Sequence, residues 1–273
     1  MSDYRGRWAL VTGASAGIGA EFARQLAAKG ANLVLVARRA DRLTALGDEL
    51  AAAHDVKYVT RAADLSVRDA AAGVVEGLAD EGAQPDILIN NAGFGLPGFF
   101  NDNTWIEQRD FIELMVSSYA HFAHLLLPSM RAKNWGRIVN VASLAGLVPG
   151  SAGHTLYGPS KTFLVSFSQS LAAEAHGTGI KVSALCPGFT YSEFHDVNGT
   201  RELVSKMSEN MFQQADEVVR TCFDDLEQDR TVIVPGANNK RIAWLVRHLP
   251  RGVAEDITRK QSARFRKRTE GAD

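Results

Sequence analysis

Short apolar runs alternate with stretches of helical periodicity along almost the whole chain. Trp8 to Thr12 forms the first run and closes on a glycine. NLVLVA at 32–37, DILIN at 86–90, RIVNVAS at 137–143, KVSALC at 181–186 and TVIVP at 231–235 repeat the type, with VKYVT at 56–60 a weaker member. Runs this short, apolar on both sides and rich in Val and Ile, predict strands buried on both faces of a parallel sheet. Between them Leu43, Leu46 and Leu50 recur at helical spacing. So do Phe111, Leu114, Ser118, Phe122 and Leu125, and further on Phe163, Phe167 and Leu171. Alternating β and α with short connections implies parallel strands joined by right-handed crossovers. The expected architecture is a single α/β domain over residues 1–236, a doubly wound Rossmann-type sheet with helices on both faces. No internal repeat, low-complexity tract or linker interrupts the pattern. Residues 237–273 are expected to form a helical, basic extension of the same domain. In it Ile242, Leu245, Val246 and Leu249 make an apolar stripe at helical spacing. The stripe predicts a helix packed on the body or on a neighbouring subunit, with a membrane surface as the minority alternative.

Composition narrows the picture in three ways. With 45% apolar and 22% charged residues the chain can bury a sizeable core, which excludes a disordered or collagen-like protein. No apolar run approaches the ~18 residues of a spanning helix, and the first residues lack a signal-peptide stretch. Cys186 and Cys222 stand far apart with no CxxC pair, so a soluble protein of the reducing cytoplasm is the expectation. The net charge of −1 conceals an asymmetry: residues 240–268 hold ten Lys/Arg against Glu255 and Asp256, a local +8 that leaves −9 elsewhere. A solvated basic tail on an acidic body is the favoured reading. The alternative is a surface for anionic membrane, nucleic acid or an acidic substrate. Phe265 is the sole aromatic residue in the last part of the tail, which weighs against nucleic acid.

The candidate chemistry begins at Thr12-Gly13-Ala14-Ser15-Ala16-Gly17-Ile18-Gly19, between the first strand and the first helix. Strand, glycine turn and helix are the arrangement in which backbone N–H groups at a helix N-terminus receive a pyrophosphate. At the end of the second strand an acidic residue would accept the ribose 2′-OH of NAD. This chain instead has Ala37, Arg38 and Arg39, and guanidinium groups suit the 2′-phosphate of NADP(H). The bland alternative is two solvated arginines opening a helix. Tyr157 and Lys161 lie four apart on one helical face, and Ser143 closes a strand fourteen residues upstream of Tyr157. A nearby ammonium favours phenolate and brings a phenol toward acid–base work near neutrality.

Together TGASAGIG at 12–19, Asp64-Leu65, Asn90-Asn91-Ala92-Gly93, Ser143, Tyr157 with Lys161, and Pro187-Gly188 resemble the short-chain dehydrogenase/reductase family over about residues 5–236. The resemblance implies a cofactor site at Gly13, Ser15, Gly17, Ile18 and Gly19, with Arg38 and Arg39 at the 2′-phosphate. It implies Asp64 and Leu65 at the adenine, and Asn91, Ala92 and Gly93 along the inner edge. Pro187, Gly188 and Thr190 would surround the nicotinamide. Tyr157 would serve as general acid/base, Lys161 would bind the nicotinamide ribose and lower the phenol pKa, and Ser143 would orient the carbonyl. Dimers or tetramers through the helices carrying Phe111–Leu125 and Tyr157–Leu171 are also implied.

The chain departs from the family pattern at three points. Counting back from Leu127-Pro128-Ser129-Met130 puts Met115 where the family has an asparagine, unless the alignment slips to Ser117 or Ser118. The gap from Ser143 to Tyr157 is about one residue longer than usual. The chain also continues for 37 residues beyond Gly236. Phe194, His195, Met207, Met211 and Phe212 on one side, and Phe94, Phe99, Phe100 and Trp105 on the other, suggest a mostly apolar carbonyl substrate, although some of them must be core. His195 is either a substrate contact or simply exposed. His121 and His124 show no metal-ligand partners, and no metal site is expected. The function expected is NADPH-dependent reduction of ketones or aldehydes, reversible with the alcohol. The alternative is an NADPH-binding sensor or scaffold with weakened catalysis.

Overall fold

The computed structural model describes residues 4–96, 98–153, 155–191 and 212–262, with side chains through residue 260. Seven parallel strands form one sheet in the order β3-β2-β1-β4-β5-β6-β9. They are β1 (Trp8–Thr12), β2 (Asn32–Ala37), β3 (Tyr58–Ala62), β4 (Pro85–Asn90), β5 (Gly136–Val141), β6 (Ile180–Leu185) and β9 (Val232–Ile233). The order reverses between β1 and β4, and a crevice opens above the carboxyl ends of the strands at such a switch point. A separate short pair, β7 (Phe189–Thr190) with β8 (Phe212–Gln213), lies after β6.

The two-residue period of the strands sorts the core into two layers. Ala9, Val11, Leu33 and Leu35 face α1 (Gly17–Ala28), α2 (Ala40–His54) and α7 (Ala215–Glu227), packing with Phe22, Leu26, Leu43, Val219 and Phe223. Leu10, Val34, Val36 and Leu88 point the other way, toward α3 (Ala70–Val75) and α5 (Ser118–Ala132), and meet Val74, Phe122 and Leu126. Strands apolar on both sides are therefore required, because each carries two cores. α4 (Trp105–Ile112) starts on a capping box: Glu107 N–H donates to Thr104 Oγ1 at 3.3 Å and Thr104 N–H to a Glu107 carboxylate oxygen at 2.8 Å. That arrangement satisfies two donors left open at a helix start.

Several expected boundaries move. β3 begins two residues later than 56–60, because its register with β2 pairs Leu33 with Tyr58. β5 ends at Val141, so Ser143 lies past the strand and caps a single 3₁₀ turn, Leu144–Gly146. The expected helix through Phe111 and Leu125 is interrupted by a π turn, Glu113–Ser117, between α4 and α5. The β9 pairing covers only Val232–Ile233 of the expected 231–235 run.

The C-terminal stripe does not pack on this chain as expected. α8 (Ala237–His248) turns Asn239 inward, while Ile242 remains 42% and Leu245 49% exposed. Val246 and Leu249 are half-buried. Asn239 meets Gly188, but the turns of α8 that follow it find little of this chain to cover their apolar residues. α9 (Arg251–Ser262) follows and buries Ala254 but leaves Val253 and Ile257 exposed. Among the described residues no helix is long and apolar enough to cross a membrane.

Candidate active site

The candidate residues gather where the strands end. Thr12 closes β1, and its hydroxyl accepts from the N–H groups of Asn91 (2.8 Å) and Ala92 (2.9 Å) beyond β4. Asn91 Nδ2 returns a bond to the Thr12 carbonyl at 2.9 Å, tying the glycine turn to the Asn90–Gly93 segment. Gly13 has φ +65° and Gly17 φ +56°, left-handed conformations that favour glycine. A Cβ on Gly13 would come within 2.7 Å of Asn91 Nδ2, and one on Gly19 would strike the Gly13 carbonyl. α1 starts at Gly17 with no side chain capping its open N–H groups. Open helix N–H groups beside bare backbone form a cradle that fits the pyrophosphate of a dinucleotide.

At the end of β2, Arg39 Nη2 donates to Ser15 Oγ at 3.0 Å, bringing the two expected cofactor residues together. Arg38 is exposed and lies within electrostatic reach of Asp64. Burial tends to raise the Asp64 carboxyl, yet hydrogen bonds from the Ser66 hydroxyl and N–H, helped by Arg38, hold it below the usual range. Leu65 is buried at 4% exposure, and Ile18 packs against the α1-side core.

Across the crevice Ser143, Tyr157 and Lys161 converge. Tyr157 is the first residue of α6 (Tyr157–Glu174), and Lys161 lies one turn later on the same face. Burial pushes the Tyr157 phenol up from its ordinary value, and a hydrogen bond with Ser143 draws it back. Lys161 Nζ donates to the Val141 carbonyl at 2.8 Å and lies 5.6 Å from the Tyr157 ring centroid. Its burial lowers the ammonium to about 7, with Cys186 opposing the change. Pro187 is buried, Thr190 Oγ1 donates to the Gly188 carbonyl at 3.2 Å, and Gly188 touches Asn239 of α8.

Met115 sits in the π turn, fully buried, its sulfur 2.9 Å from where a Gly93 Cβ would be. Ser118 instead donates back to the Leu114 carbonyl at 2.7 Å. Of the three residues considered for the asparagine position, Met115 is the one shown against the Asn91–Gly93 segment.

Two residues near Lys161 escape the sequence reading. Cys186 is a buried thiol pushed up to about 12. Tyr119 lies one turn after Met115, with its ring centroid 5.8 Å from Lys161 Nζ. Its place four residues beyond Met115 is a signal that helical periodicity could have supplied. Among the expected substrate aromatics, Phe94 is half-buried and packs edge-on against Phe111 at 5.4 Å between centroids, whereas Phe99, Phe100 and Trp105 are exposed. A small crevice of mixed lining lies here, with Phe99, Phe100 and Leu156 beside Asn103, Gln108 and Thr155. Phe212 stacks on Tyr191. Phe194, His195, Met207 and Met211 lie outside the described residues. Among the described residues no cluster of His, Cys, Asp or Glu could hold a metal.

The short chain dehydrogenase family matches this chain over residues 7–202. An uncharacterized oxidoreductase of Myxococcus xanthus is 36% identical over 198 residues, covering 72% of this chain and 78% of that protein. A very-long-chain 3-oxoacyl-CoA reductase of Laccaria bicolor is 33% identical over 204 residues, 74% of this chain but only 60% of its own length. The solved structure of a short-chain dehydrogenase from Sphingobium yanoikuyae in complex with NADPH superposes with a TM-score of 0.77 at 30% identity, over 98% of this chain and 99% of that one. The chain belongs to the short-chain dehydrogenase family and is an oxidoreductase of that family, which works with nicotinamide cofactors.

Proposed function

We propose that the protein is an NADPH-dependent carbonyl reductase, reversible as an alcohol dehydrogenase, acting on a mostly apolar ketone or aldehyde. The convergence of Ser143, Tyr157 and Lys161 beside the glycine cradle carries this reading. Gly13, Ser15, Gly17, Ile18, Gly19, Asp64, Leu65 and Asn91 to Gly93 hold the cofactor, with Pro187, Gly188 and Thr190 at its nicotinamide end. NADPH, when bound, supplies the hydride. Ser143 holds the carbonyl oxygen by its hydroxyl, and Tyr157 gives its phenolic proton to that oxygen as the alcohol forms. A phenol raised by burial is protonated at neutral pH, the form a general acid needs. Lys161 steadies the charge left on Tyr157 until solvent restores the proton. The acyl chemistry named for the Laccaria relative supports an apolar substrate.

The test is consumption of NADPH by purified protein against a panel of ketones, aldehydes and alcohols. Tyr157→Phe is expected to lower turnover by about 10²–10⁴-fold while NADPH still binds. Retained turnover in that variant rejects the assignment. Arg38 and Arg39 carry the NADP preference. Arg39→Ala is expected to weaken NADPH binding by about 10–150-fold, the value of one charge-assisted hydrogen bond, and to leave NADH binding alone; equal losses for both cofactors would sink the idea.

Met115, apolar where an amide would hold water, favours a second reading in which the chain binds NADPH as a sensor or scaffold. Silence across the carbonyl panel with tight NADPH binding would select it, and Met115→Asn is then expected to restore turnover. We also propose one domain over 1–236 with 237–273 as its extension, in a cytoplasmic homodimer or homotetramer built through α5 and α6. Phe163 on α6, 37% exposed and stacked on Phe167, suits such a contact. Light scattering on the purified protein checks the assembly. The basic extension is an accessory feature, with neither nucleic acid nor membrane as its favoured partner.

A further inference from the structure

Tyr119 is almost completely buried, at 1% exposure, and its hydroxyl and carbonyl both bind the segment that ends β4. Its hydroxyl donates to the Ala92 carbonyl at 2.9 Å, and its own carbonyl accepts from Asn90 Nδ2 at 3.0 Å. The ring between these two bonds stands 5.8 Å from Lys161 Nζ, and the Tyr157 ring stands 5.6 Å from the same nitrogen. The groups shown around Lys161 are Tyr157 on α6, Tyr119 on α5 and Cys186 after β6, with Ser143 behind them on Tyr157 and Cys186, all neutral near pH 7. Among the described residues Lys161 has no carboxylate in ion-pair range. An ammonium without a counter-ion can draw on ring faces, whose quadrupoles attract a cation within about 6 Å.

We propose that Tyr119 is a positioning residue for the reaction: its ring steadies the Lys161 ammonium, and its hydroxyl fixes the Ala92 backbone along the cofactor's inner edge. The two halves act through different atoms, so two variants separate them. Tyr119→Phe keeps the ring and frees the Ala92 carbonyl. Tyr119→Leu removes the ring as well. The effect on turnover rests on the reductase reading, but the two primary readouts need no substrate: NADPH affinity by fluorescence titration, and the Lys161 amine titration by NMR of the free protein.

Tyr119→Phe is expected to weaken NADPH binding by about fivefold, the loss of one buried hydrogen bond, with the Lys161 midpoint unmoved. Tyr119→Leu is expected to lower that midpoint by about half a pH unit or more. The alkaline limb of kcat/KM moves down with it. Should Tyr119→Leu fail to fold, Tyr119→pentafluorophenylalanine replaces it; read against Tyr119→Phe, it keeps the volume, reverses the quadrupole and must lower the midpoint. An unmoved Lys161 midpoint in the folded ring variant, or unchanged NADPH affinity in Tyr119→Phe, overturns the corresponding half. Absence of activity on every carbonyl would reject the reductase reading and leave both substrate-free results to decide the role of Tyr119.

Discussion

The two ends of the strands each bury a cation and treat it in opposite ways. At the amino-terminal end Arg137 is 3% exposed and meets the Glu227 carboxylate with Nε at 2.7 Å and Nη2 at 3.1 Å. Tyr4 donates to the same carboxylate at 2.6 Å, Lys181 Nζ lies 3.5 Å from it, and the Arg137 guanidinium also stacks on Trp135 at 4.4 Å. At the carboxyl end Lys161 is 4% exposed with one carbonyl and two phenol rings for company. A buried charge is tolerated when paired and hydrogen-bonded, and is otherwise driven toward its neutral form. Arg137 is therefore paired and holds β5 to α7, while Lys161 is pushed to about 7. The contrast separates a structural cation from one whose environment is left incomplete for a ligand, as perturbed groups in clefts often are.

The largest expected effect tests that separation at Lys161. Lys161→Met should lower turnover by about 10²–10⁴-fold while the melting temperature of the free protein holds or rises, because an uncompensated ammonium has gone. A fall in melting temperature would show that Lys161 serves the fold after all. Next in size is Arg137→Met, which leaves the Glu227 carboxylate to Tyr4 and Lys181 and is expected to cost about 1–3 kcal/mol of stability. Denaturant unfolding measures the loss, and a KM changed as much as stability would break the comparison.

The pH dependence of stability gives the smallest effect. With a folded value about 7 for Lys161 and an unfolded one near about 10.4, the unfolded chain binds the extra proton between those limits. Stability of the free protein should thus rise with pH from about 7 to the unfolded thiol value of about 8.5, by at most about 1.4 kcal/mol per unit. Above that value Cys186 and Cys222, whose ionisation burial resists, reverse the slope, and the buried tyrosines add to the fall at higher pH. The rise should vanish in Lys161→Met; its persistence there would assign it to another group.

Much of this site was legible in the sequence because its parts are local. The glycine turn between strand and helix, the pair Tyr157 and Lys161 on one helical turn, and Arg38 with Arg39 at a strand end each occupy a few consecutive residues. The strand cores were legible for the same reason, since two-sided burial leaves an unbroken apolar run. The π turn at Glu113–Ser117 was not, because Phe111, Leu114, Ser118 and Phe122 keep a helical rhythm through it. Nor could periodicity say that Ser143 stands beyond β5, or that Phe94 packs against Phe111 while Phe99 and Phe100 remain open.

By itself the sequence determined the alternation of strands and helices, the cradle and the types of side chain available for chemistry, all of which depend on neighbours along the chain. Tertiary structure alone decided what surrounds each charge. It set Tyr119 and Cys186 beside Lys161 from elements far apart in sequence, brought Glu227 to Arg137 across ninety residues, and turned the Ile242–Leu245 stripe outward. Burial and counter-ions depend on which elements pack together, and packing follows from the whole sheet rather than from any segment of it.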